Sequence, residues 1–108
     1  MRLVNLTPHA LNIEGVGEIP SAGVARLIEK TGDPVFIPID GGGIRIKCVP
    51  TVYAGVEGLP QPLDVDTIYI VSRPVAEFIK HPQVMAPAEY IRDSDGRITG
   101  ARALCWFL

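Results

Sequence analysis

The sequence predicts a mainly β, α+β fold: a small mixed or antiparallel, partly closed sheet with one short helix near residues 73–80. Three observations carry that expectation. Ten prolines and eleven glycines punctuate the 108 residues and leave only short apolar runs between them, which is the spacing of a β-rich chain. Those runs are aliphatic and β-branched, with aromatic residues at only 6% of the chain, so Val, Ile, Leu and Ala must build the core. Only one segment combines a capping residue, an early proline and an apolar stripe, so only one helix is expected.

Taken in order, Arg2–Leu6 reads as a first strand, broken by Thr7-Pro8. Ala10–Glu14 places Leu11 and Ile13 on one face and reads as a second strand, ended by Gly15–Gly17. After the bend at 19–23, Val24–Glu29 is a strand, and Thr31-Gly32-Asp33-Pro34 has turn chemistry. Val35–Ile39 contains Pro38, which restricts it to a sheet edge. Asp40-Gly41-Gly42-Gly43 links it to Ile44–Val49, where Ile44, Ile46 and Cys48 alternate with Arg45 and Lys47. That period of two is the clearest strand signal in the chain. Val52–Val56 continues past Pro50, and Gly58–Pro62 is stiff and extended. Thr67–Val71 reads as a central strand. Ser72 is placed to cap a helix of about two turns that carries Pro74 in its first turn and ends before His81-Pro82. Residues 83–89 read as a loop, 88–92 as a brief strand, Asp93–Gly96 as a hairpin turn and Arg97–Leu104 as its return strand. The apolar tail, Cys105 to Leu108, belongs either in the core or in an oligomer contact.

One domain, residues 1–108, is expected, with roughly 60–70% of the unfolded chain's surface buried on folding. The formal charge is −2 and the ten basic residues are scattered, which gives no reason to expect a nucleic-acid polymer as partner. Two cysteines, Cys48 and Cys105, are too few for a disulfide scaffold and sit in apolar runs where reduced thiols are common. The N-terminus lacks a signal-peptide pattern, and no stretch reaches the ~20 apolar residues of a membrane span. No membrane partner and a cytoplasmic setting, bacterial or in an infected host cell, are therefore expected.

Four groups of residues could carry chemistry. Asn5, Thr7 and His9 offer an amide, a hydroxyl and an imidazole at a strand end, although turns use the same residue types. Ser72 and Arg73 open the helix, and an arginine in a first turn is unfavourable for the helix dipole unless it meets an anion there. Asp40–Gly43 serves equally well as a flexible connection. Arg92 and Arg97 flank Asp93-Ser94-Asp95-Gly96, which lacks the remaining ligands of a calcium loop. No zinc spacing, phosphate-binding glycine loop or nucleophile elbow is present, so neither a metal site nor a cofactor is expected. If the protein were an enzyme, His9 would be the candidate base; no reaction class is indicated.

Four segments, in order along the chain, together resemble a family of small uncharacterised proteins from bacteriophage, prophage and bacterial genomes. They are Asn5-Leu6-Thr7-Pro8-His9, Gly58-Leu59-Pro60 with Pro62, Tyr69-Ile70-Val71-Ser72 with Val75-Ala76, and Arg92-Asp93 with Asp95-Gly96-Arg97-Ile98 and Gly100. Residues 29–50 carry least of the likeness. The resemblance implies no catalytic residue. Its phage setting suggests a protein that blocks host defence by sequestering a nucleotide signal or binding a defence protein. The leading expectation is a non-catalytic protein that holds a small anionic, nucleotide-derived ligand with Asn5, Thr7, His9, Ser72 and Arg73, joined by Arg92 or Arg97. The alternatives are a protein-interaction or structural subunit of a homo-oligomer or phage assembly, and a small His9-dependent hydrolase.

Overall fold

The computed structural model describes residues 1–108 and divides into a body and an arm. The body is a six-stranded mixed sheet. Its strands are β1 (Arg2–Asn5), β2 (Leu11–Ile13), β3 (Gly17–Ile19), β8 (Thr67–Ile70), β9 (Val84–Arg92) and β10 (Ile98–Cys105), in the order β1-β8-β9-β10-β2-β3. β8 runs parallel to both β1 and β9, β9 and β10 form an antiparallel hairpin, and β2 joins β10 in parallel. The sheet curls until its two ends nearly meet. Ser21, just after β3, bridges Asn5 of β1, and the Ala22 amide donates to the Asn5 carbonyl at 2.8 Å. A mainly β, partly closed sheet with one short helix is thus what the chain forms. No helix is long and apolar enough to cross a membrane.

The helix, α1 (Arg73–Ile79), follows β8 and lays Val75 and Ala76 against the core. Ser72 holds the cap position in extended backbone, but its hydroxyl makes no capping bond. Lys80 closes the helix in the left-handed region, its amide donating to the Ala76 carbonyl. The core cluster joins Leu6, Tyr69, Val71, Val84 and Ala86 to this helix face.

One expectation for the body needs correcting. Residues 83–89 are not a loop: Val84 opens a nine-residue strand that runs straight through Pro87. The strand changes partner where the proline lies. Amides of Tyr69 and Val71 donate to the carbonyls of Gln83 and Met85, and the next ladder bond to β8 would need an N–H at residue 87. Proline has none, so pairing with β8 stops there. Pairing with β10 carries the strand onward.

The arm is a single long hairpin. Its root pairs β4 (Arg26–Thr31) with β7 (Thr51–Glu57), and its tip pairs β5 (Val35–Ile39) with β6 (Ile44–Cys48). Residues 31–34 therefore do not reverse the chain. They interrupt one strand of the hairpin opposite Val49-Pro50, where the Gly32 amide donates to the Pro50 carbonyl at 2.8 Å. The reversal comes at the tip, through a single 3-10 turn at Asp40–Gly42. Its root is held firmly: Gly58, with φ +83°, backs so closely onto the Val24 carbonyl that no Cβ would fit.

The arm makes the molecule long. Its radius of gyration is 18.1 Å, whereas about 13 Å suits a compact domain of this length. The accessible surface is 7361 Å², against about 5,900 Å² for a folded monomer of this mass. Only 15 residues are buried, and none lies between 26 and 57. The chain thus keeps more surface in water than its length predicts, and the arm is where it keeps it.

Candidate ligand cavity at the root of the arm

Asn5 is fully buried, and its side chain forms the seam of the body. Its Oδ1 accepts from the Thr7 amide at 3.0 Å and the Thr7 hydroxyl at 2.6 Å, while its Nδ2 donates to the carbonyls of His9 at 2.9 Å and Ile19 at 3.0 Å. An amide side chain has two donor hydrogens and two acceptor lone pairs, and all are used. The bond to Ile19 ties β1 to β3 across the closure of the sheet. Asn5 is therefore spent on structure. The same network folds the 5–9 turn so that Thr7 and Pro8 face the start of α1.

There the chain forms a cavity of about 280 Å³. Thr7 and Pro8 wall one side, Ser72, Pro74 and Val75 another, and Val24 to Leu27 at the start of the arm a third, with Leu6 also in its lining. Two of the segments singled out in the sequence thus converge on one concavity. Thr7 directs its proton to Asn5 but retains acceptor capacity. The Ser72 hydroxyl makes no hydrogen bond within the protein, because the helix leaves it uncapping. Arg26, which sequence reasoning missed, also lines the cavity. It is exposed, and it stands opposite Glu57 in the β4–β7 register without forming an ion pair. The three pairs that do form are Arg2–Asp64, Arg73–Glu77 and Arg102–Glu14. Arg26 lies in the apolar run Val24 to Ile28, and nothing local marks it as a site residue. Only the fold brings it to Thr7 and Ser72.

The other expected residues lie elsewhere. His9 is exposed and lends the network its backbone carbonyl, not its imidazole. Arg73 turns along its own helix: Nε meets Glu77 at 3.1 Å, and the guanidinium lies 5.1 Å from the centre of the Phe107 ring. That pairing offsets the first-turn dipole conflict without an external anion. Arg92 donates to the Gly96 carbonyl at 2.9 Å, and Asp93 accepts from the amides of Asp95 and Arg97. Both arginines therefore belong to the β9–β10 turn, and neither is in the cavity lining. Cys48 and Cys105 are both free and half-buried. Comparison of the chain with family models, with curated proteins and with solved structures finds no match to any of them.

Proposed function

We propose that the protein is a non-catalytic binding protein that takes a small anionic ligand, of the nucleotide-derived kind, into the cavity at the arm root. One observation carries the reading. Thr7, Ser72 and Arg26, far apart in sequence, line a single cavity whose remaining walls are largely apolar. A mostly apolar concavity with a few convergent polar groups is the usual form of a small-molecule site, and this one, at about 280 Å³, falls just below the usual ~300–1,000 Å³ range. An unpaired guanidinium supplies planar, charge-assisted donors suited to phosphate. In a phage or prophage setting, such a protein would remove a host-defence signal from solution.

Isothermal titration against cyclic dinucleotides and ADP-ribose derivatives tests the reading. Binding by the wild type is expected to weaken about tenfold or more in Arg26→Ala, the loss of one charge-assisted contact. Ser72→Ala should weaken it by a smaller factor. The idea ends if none of these compounds binds at high micromolar concentration. A second reading, that of a protein-interaction or structural subunit, is favoured by the uncovered apolar arm.

A further inference from the structure

We infer that the tip of the arm is the contact through which two copies of this chain associate, apolar face against apolar face. The inference rests on the interaction-subunit reading and not on the ligand reading.

The β5–β6 register decides which side chains share a face. Val35 stands opposite Cys48, Ile37 opposite Ile46 and Ile39 opposite Ile44, so these six residues form one wholly apolar face. The alternate pairs, Phe36 with Lys47 and Pro38 with Arg45, place both charges on the opposite face. Within one chain nothing substantial packs on this ribbon except the turn that joins its strands. Val35, Ile37, Ile44 and Ile46 are 46–62% exposed. A two-stranded ribbon alone is marginal in water and needs a further layer.

Three features identify that layer as a second copy. The face carries no charge, so placing it against itself brings no like charges together. Residues 26–57 carry four basic and four acidic side chains, so whole arms do not repel one another by net charge. The arm as a whole has the area: the excess over a compact monomer, on the order of 1,500 Å² per chain and spread over all of the arm, exceeds the ~800 Å² that each partner of a standard interface contributes, so the apolar face forms the centre of a contact that extends along the arm. Edge-to-edge pairing is disfavoured, because Pro38 interrupts the β5 edge and Arg45 and Lys47 charge the β6 strand. Two ribbons stacked about a twofold axis, with sheets about 10 Å apart, close the contact.

Light scattering and sedimentation of the full chain at micromolar concentration test this. The wild type is expected at twice the chain mass. Ile37→Lys/Ile46→Lys is expected at the single mass with an unchanged circular dichroism spectrum, and Arg45→Ser should remain dimeric. Amide exchange supplies a measurement without variants: β5–β6 amides of the wild type should be protected, and should lose that protection on dilution. A monomeric wild type, or ribbon amides that exchange freely at the highest concentration, overturns the inference. A dimer that survives the double lysine variant but dissociates in Trp106→Ser/Leu108→Ser also overturns it. In that last case self-association would stand and the tail would be its contact.

Discussion

Ile70 and Ile46 are the same residue, each in a β-strand, yet their surroundings differ completely. Ile70 is fully buried on an inner strand of the six-stranded sheet, whereas Ile46 is 51% exposed on a ribbon that nothing covers. The contrast extends to the two regions as wholes. The body closes its sheet, satisfies Asn5 through four hydrogen bonds and gathers every buried residue. The arm packs Leu27 and Val56 of its root against the core and sets Tyr53 edge-on to Phe78, but its tip pairs its backbone and leaves its side chains in water. Backbone ladders alone therefore say little about where stability resides; the layer above and below each strand decides it.

Substitutions should separate the two regions cleanly. The largest effect is expected from Asn5→Ala, which strands two carbonyls and a Thr7 amide at the seam; about 4 kcal/mol should be lost in urea unfolding. Ile70→Ala should cost about 3 kcal/mol by the same transition, as a large-to-small change in a closed core. Gly58→Ala forces a side chain against the Val24 carbonyl at positive φ. It should cost about 2 kcal/mol, seen as a lower thermal midpoint. Gln83→Ala removes an amide that donates to the carbonyls of Asp64 and Thr67; about 1 kcal/mol is expected, with faster amide exchange around β8. Smallest is Ile46→Ala in dilute monomer, where less than about 0.5 kcal/mol should change. A large loss there would mean that the arm folds onto something within its own chain, and the contrast would fail.

Much of this was legible in the sequence, and what was not has physical reasons. The alternation at Ile44–Cys48 announced a strand with one apolar face, and the Ser72-to-His81 punctuation announced the helix. Pro87 reads as a breaker, but it sits where one neighbour's ladder ends and another's continues, which no local pattern reveals. Thr31–Pro34 has turn residues, yet distant pairing of β4 with β7 makes it an interruption in a longer hairpin. The Asn5-to-His9 stretch stood out as a possible site. The structure uses Asn5 to lock the closure of the sheet and leaves only Thr7 and Pro8 at the cavity. Arg26 was invisible, because its relation to Thr7 and Ser72 exists only after the chain has folded.

β4 begins as a wall of the cavity and continues outward as one rail of the arm, with Gly58 clamping the junction. A molecule gripped by Arg26 and a protein seated on the distant ribbon would therefore pull on opposite ends of one beam. If either event shifts that beam, thermodynamic reciprocity requires each to change the other's affinity by the same factor. Titrating the small ligand into dilute and concentrated protein would reveal such a linkage as a dependence of its dissociation constant on the protein's own concentration.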